Sequence, residues 1–269
     1  VNVVVVRTGM ANLASVLAAL ERLGVEARVT TDPEVVGGAE RLVLPGVGAF
    51  GAAMQVIGET GLAEPIVRHV QERKPLLAVC LGLQVLCESS EESPGVRGLG
   101  VVPGQVEKFT SGATKSLSDL QRIDEARPML FGFHASGGEG SEHANRSGRS
   151  AASCTKSTKV HEDRPKADRS VRRGDSPCTG ARPCRVPQLG WNGVKPTPGA
   201  RLLREGHAYF ANSYRLTEIP AGWEGATSDH GGPFVAALER GNTLACQFHP
   251  ELSGAFGRDL LARWLEDAC

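Results

Sequence analysis

A chain that opens with Val1–Val6, β-branched at every position but Asn2 and so without a polar face, must bury that segment on both sides. A strand inside a parallel sheet does so. The following residues fit that demand. Asn12 precedes Leu13, Val16, Leu17, Leu20 and Leu23, an apolar stripe at helical spacing that stops at Gly24. Val25–Val29 reads as a second strand, Leu42–Leu44 as a third, Leu62–Arg73 as a helix and Leu76–Val79 as another short buried strand. Strand, helix and strand repeated in this way predict an α/β fold: an open, mostly parallel sheet with right-handed crossovers and helices on both faces. Further on, His207–Leu216, Phe234–Glu239 and Thr243–Phe248 are short strand candidates, and Arg240-Gly241-Asn242 is a hairpin signal. Phe256–Leu265 reads as an amphipathic closing helix, so a mixed sheet covered by helices accommodates the whole pattern.

One stretch does not fit. Ser136 to Pro183 is rich in Ser, Gly, Arg, Lys, Glu and Asp and has almost no large apolar residues, a composition that cannot offset the entropy of ordering. Residues 110–186 therefore read as a disordered, low-complexity insertion in one domain spanning 1–269, and the 192 residues left without it suit a single domain. The insertion carries 14 Lys+Arg against 9 Asp+Glu, and the rest of the chain 16 against 21, so the overall charge is zero. That balance gives no reason to expect nucleic acid or an anionic membrane as partner. No apolar run approaches the roughly 18–20 residues of a membrane helix, and Val1–Val6 is too short for a signal peptide. Seven cysteines, an odd count without dense spacing, fit a reducing cytoplasm.

The most informative chemistry lies in Leu76-Leu77-Ala78-Val79-Cys80-Leu81-Gly82-Leu83-Gln84. A buried strand runs into Cys80, with small Ala78 and Gly82 two residues either side, and a helical pattern follows through Val85 and Leu86. This is the layout of a nucleophile elbow. A helix N-terminus there favours the thiolate, and the Leu81 N–H would face a developing oxyanion. The competing reading makes Cys80 a small buried hydrophobe. Gln247-Phe248-His249-Pro250-Glu251 supplies a histidine able to act as base and acid, and a carboxylate two residues on to orient it. Alone, that triplet is weak. The loop Leu44-Pro45-Gly46-Val47-Gly48-Ala49-Phe50-Gly51 can bring backbone amides close to a ligand, or be a plain tight turn; it lacks the Gly-Lys-Ser/Thr of a phosphate loop.

Taken together, these segments resemble the class I glutamine amidotransferases. Within that family they are most similar to the glutaminase subunits of imidazole glycerol phosphate synthase. The likeness runs through residues 1–109 and 187–269, in Gly9–Leu13, Leu44–Phe50, Cys80–Gln84, Ser89–Glu92, Gly190-Trp191-Asn192, Tyr209–Tyr214 and Gln247–Gly254. It implies a flavodoxin-like sheet with Cys80 as nucleophile, His249 as base and Glu251 as orienting acid. Gln84 falls on the family's substrate-side glutamine, and Gly46, Val47 and Gly48 on its oxyanion loop. The implied substrate is glutamine, without metal or organic cofactor. The implied partner is a (β/α)8-barrel cyclase that takes the ammonia to form imidazole glycerol phosphate and aminoimidazole carboxamide ribotide in histidine biosynthesis. The isolated chain is then a poor glutaminase until it docks. Two alternatives stay open: a glutaminase serving another synthase, such as one for anthranilate or pyridoxal phosphate, or a partner-binding homologue with impaired catalysis.

The chain departs from the family pattern at Arg7-Thr8, where Asp-Tyr is usual, and at Ala11, which replaces a glycine. Asn212 stands where histidine is commoner, His230 where tyrosine is, and Leu252 replaces a lysine. Relatives bridge the 110–186 gap with a short hairpin. Cys87 and Cys246 read as core, and Trp191 and Tyr209 as structural. Cys154, Cys178 and Cys184 with His143 and His161 lack the paired knuckle of a zinc site, and Arg164–Arg173 reads as a solvated tract.

Overall fold

A computed structural model of the protein describes residues 2–8, 12–109 and 185–266. In chain order the described elements are β1 (Val3–Val6), α1 (Leu13–Glu21), β2 (Ala27–Thr30), α2 (Pro33–Gly37), β3 (Arg41–Gly46), α3 (Phe50–Glu59), α4 (Ala63–Gln71), β4 (Leu76–Cys80) and α5 (Leu81–Leu86). There follow β5 (Cys87–Ser90), β6 (Val102–Lys108), β7 (Gln188–Pro196), β8 (Gly206–Asn212), β9 (Tyr214–Arg215), β10 (Glu224–Asp229), β11 (Pro233–Arg240), β12 (Thr243–Cys246) and α6 (Gly254–Glu266), with a 3-10 turn at Pro250–Leu252.

Among the described residues, nine strands form one mixed sheet in the order β2-β1-β3-β4-β12-β11-β10-β7-β8. From β2 to β12 neighbours pair parallel, and from β12 to β8 they pair antiparallel. Taken in chain order, the five parallel strands run 2-1-3-4-5, the flavodoxin-like arrangement, in which ligands bind beyond the carboxyl ends of the strands.

The absence of a polar face on β1 has its reason in two cores. Val3 and Val5 pack with Val16 and Leu20 of α1 and with Leu260, Leu261 and Trp264 of α6 on one side of the sheet. Val4 and Val6 pack with Phe50 and Ile57 of α3 and Ile66 of α4 on the other. Successive side chains of a strand point to opposite faces, so each core takes alternate valines. Gly24, at φ +75°, ends the α1 segment in the left-handed region, with its N–H on the Glu21 carbonyl at 2.9 Å. The Gly241-Asn242 turn joins β11 to β12, with Arg240 paired to Thr243.

Several elements differ from the expectation. The segment His207–Leu216 is two strands, because β8 pairs with β7 in the large sheet whereas β9 crosses to pair with β6. The second strand starts at Ala27, two residues later than expected, and α4 is shorter than Leu62–Arg73 at both ends. Helix α3, rich in glycine and alanine, was not anticipated. Residues 110–184 of the proposed insertion lie outside the described residues, as do the zinc candidates His143, Cys154, His161, Cys178 and Cys184 and the basic run Arg164–Arg173. Val186, at the far end of that stretch, is buried in the first core.

Candidate active site

Strand β4 is buried along its whole length between β3 and β12, and the chain leaves it at Cys80 with φ 54° and ψ −107°. A non-glycine residue held there costs about 1–3 kcal/mol, so its surroundings must impose it. They do. A Cβ on Gly82 would lie 1.9 Å from the Leu44 carbonyl oxygen, and one on Gly46 would lie 2.9 Å from Leu81 Cβ. Only small residues let α5 turn this tightly over β3. The sulfur is thereby set at the carboxyl end of β4, opposite Gly46 in the strand register.

His249 emerges beyond β12, the other neighbour of β4. Its N–H donates to the Tyr209 carbonyl at 2.9 Å, and Ser253 Oγ donates to the His249 carbonyl at 2.6 Å while accepting from Tyr209 N at 3.0 Å. Pro250 opens the 3-10 turn that brings Glu251 back, so that its Oε1 lies 2.8 Å from His249 Nδ1. Both side chains are about 95% or more buried. With Nδ1 committed to Glu251, Nε2 is the ring nitrogen left free to face a nucleophile, and Cys80 is near enough to favour the charged imidazole. Burial opposes a charge on His249, but the Glu251 carboxylate and Cys80 together outweigh it and hold the imidazole well above the usual histidine range.

Of the loop residues, Gly46 is buried at the end of β3, Val47 is half-buried and Gly48 is exposed, at φ +105°. Three hydrogen bonds that sequence reasoning missed secure this loop. Thr8, one of the family departures, donates its hydroxyl to the Pro45 carbonyl at 3.0 Å. At the far end, Glu92 Oε2 accepts from Phe50 N at 2.7 Å and Ser93 Oγ from Gly51 N at 3.0 Å, capping α3 from a distant segment.

Leu81 is buried at the start of α5. Gln84, also buried, donates to the Tyr214 carbonyl at 3.3 Å and to Gln247 Oε1 at 3.1 Å. Gln247 in turn donates to Cys80 Sγ at 3.7 Å. Cys80 Sγ also lies 3.9 Å from the Ala211 carbonyl. In the sequence, Gln247 was marked only as the first residue of the Gln247–Gly254 likeness and as a polar residue within the strand candidate Thr243–Phe248.

Cys87 and Cys246 are both buried; burial pushes the Cys87 thiol up to about 12 and raises Cys246 well above the usual range. Asn212 donates to the Tyr214 carbonyl at 3.0 Å, and His230 packs edge-on against Phe109. Trp191 is 59% exposed, its ring edge-on to Tyr209. Among the described residues no group of three or more His, Cys, Asp or Glu side chains is placed to hold a metal. A thiol beside an imidazole oriented by a carboxylate, facing a glycine-rich loop, is an arrangement suited to acyl transfer through a thioester.

The class I glutamine amidotransferase family matches residues 4–268. The chain belongs to that family. It is 33% identical over 263 residues to the imidazole glycerol phosphate synthase subunit HisH of Syntrophotalea carbinolica, covering 96% of this chain and 97% of that one. The subunit HisH of Thermus thermophilus is 34% identical over 254 residues, covering 94% and 91%. A crystal structure described as a glutamine amidotransferase superposes with a TM-score of 0.58 at 18% identity over 98% of both chains, a likeness of fold. The described residues of this amidotransferase include no helix long and apolar enough to cross a membrane.

Proposed function

We propose that the protein is the glutaminase subunit of an imidazole glycerol phosphate synthase, with Cys80, His249 and Glu251 as its catalytic triad. The observation that carries this reading is the buried His249–Glu251 pair, 2.8 Å apart just beyond β12, the strand that lies parallel to β4, which ends at Cys80. The names of relatives alike over nearly their full length support the choice of synthase.

Glutamine enters between the Gly46–Gly48 loop and Cys80, with Gln84 on the substrate side. The Cys80 thiolate attacks the side-chain amide carbon, and the C–O double bond opens to an oxyanion. Backbone N–H groups of Leu81 and of the Gly46-Val47-Gly48 loop stabilise that charge. His249 gives its proton to the amide nitrogen, the C–N bond breaks and ammonia leaves a thioester. Water, deprotonated by His249, then attacks the thioester, releasing glutamate and the thiolate. Glu251 keeps the imidazole in register and stabilises its charged form in both steps. The ammonia passes to a (β/α)8-barrel cyclase, with which the chain forms a cytoplasmic heterodimer whose overall reaction is that of a lyase. The chain is then one amidotransferase domain interrupted by an insertion at about residues 110–186.

The test reconstitutes the chain with the cyclase and its nucleotide substrate. Cys80→Ala is expected to abolish synthesis from glutamine and to leave synthesis from ammonium salts intact. Loss of both would remove the role given to Cys80. Association with a synthase of another pathway, and none with the cyclase, would reassign the partner.

A further inference from the structure

Gln247 is completely buried beside the nucleophile, and the chemistry above does not use it. A buried primary amide needs partners for its carbonyl and its NH2, and the surroundings dictate which end faces which partner. The Tyr214 carbonyl can only accept, so the Gln84 atom 3.3 Å from it must be the NH2. That same nitrogen lies 3.1 Å from the Gln247 amide, whose atom there must be the carbonyl oxygen. The Gln247 NH2 is left pointing at Cys80 Sγ, 3.7 Å away. The orientation is imposed by a backbone carbonyl three contacts from the sulfur.

We propose that Gln247 is a fixed hydrogen-bond donor to the Cys80 thiolate, and that Gln84 is a positioning residue acting through it. This rests on Cys80 being the nucleophile. A thiol can donate to the Ala211 carbonyl at 3.9 Å, whereas a thiolate cannot and is served by donors alone. His249 supplies one donor but spends its proton on the departing ammonia. The Gln247 donor exchanges no proton during the cycle, so it remains to receive the negative sulfur when hydrolysis expels it. Gln84 then serves the site through Gln247 as well as lining the substrate side.

The pH dependence of Cys80 alkylation by iodoacetamide, followed on the Cys80 peptide by mass spectrometry in the full-length chain, reads the thiolate directly. Gln247→Met keeps the length and removes the donor; its alkylation midpoint is expected to rise by about one pH unit. The kcat for glutamine hydrolysis in the cyclase complex should fall about tenfold, with little change in KM. Gln84→Met should shift the midpoint in the same direction by less. The double variant should shift it no further than Gln247→Met alone, since one substitution acts through the other. An unmoved midpoint in Gln247→Met, or two shifts that add, would overturn the proposal. Should Gln247→Met not fold, Gln84→Met decides: a raised midpoint supports the relay and an unchanged one removes it. Failure here is distinct from failure of the catalytic reading, which Cys80→Ala tests alone.

Discussion

Substituting Gly82 by alanine asks whether the tight seat of the elbow makes the site. In an ordinary helix interior the change gains up to about 1 kcal/mol. Here the new methyl would sit 1.9 Å from the Leu44 carbonyl oxygen and 3.0 Å from its carbon, backbone atoms in the centre of the sheet. A normal carbon–oxygen contact is about 3.3 Å, so α5 must lift by more than about 1 Å. A displacement of that size belongs at the upper end of the roughly 1–3 kcal/mol that overpacking costs, and net of the helix gain we expect about 2 kcal/mol of destabilisation. In a domain of this length that lowers Tm by about 4–8 °C. Because Cys80 precedes the displaced turn, glutaminase kcat/KM in the cyclase complex should fall about 100-fold. Gly58→Ala is the control: Gly58 lies in α3 with nothing within 4 Å of the added carbon, and it should gain about 0.5–1 kcal/mol. Scanning calorimetry of the two variants, with glutamate release, gives the comparison. A Gly82→Ala protein that melts with the parent and turns over normally would refute the packing argument.

Glu251→Gln removes the carboxylate beside His249 Nδ1 and should lower kcat about 100-fold with little effect on KM, measured by glutamate release with the cyclase present. His69 is buried on α4, and burial lowers its proton affinity below the usual value. The unfolded chain therefore binds a proton first. Stability should fall as pH drops below the ordinary histidine range, towards the depressed folded value, and denaturant titrations of His69→Gln should show a smaller fall. With their thiols raised by burial, Cys87 and Cys246 should resist alkylation of the native protein at neutral pH while Cys80 reacts, as peptide mass spectrometry would show. Equal labelling of the three would contradict the burial assigned to them.

The parts of the fold that could be read in advance were those where local pattern and tertiary demand agree. Val1–Val6 announced a strand buried on both faces, which Val3–Val6 form, and Ala78-Val79-Cys80-Leu81-Gly82 announced a turn too tight for larger neighbours. Helix α3 was hidden because Phe50–Glu59 has two glycines and gains its N-terminal partners from Glu92 and Ser93, some forty residues away. Nothing local marks the break after Asn212, since alternation continues while the chain changes sheets. Cys80, His249 and Glu251 were named from chemistry and resemblance together, and folding sets His249 2.8 Å from Glu251 beyond β12, next to the strand that ends at Cys80. Gln247 and Thr8 were given no role, because each matters only through a partner dozens of residues distant in the chain.

The most direct test treats the protein, in complex with the cyclase, with a glutamine-shaped diazo ketone, whose diazo carbon, once protonated, alkylates the thiolate with loss of dinitrogen. Intact-mass and peptide spectra should show one adduct, on Cys80, formed at least ten times more slowly in His249→Ala and absent from Cys80→Ala. An adduct on another residue, or labelling indifferent to His249, would contradict the pairing of sulfur and imidazole on which the account stands.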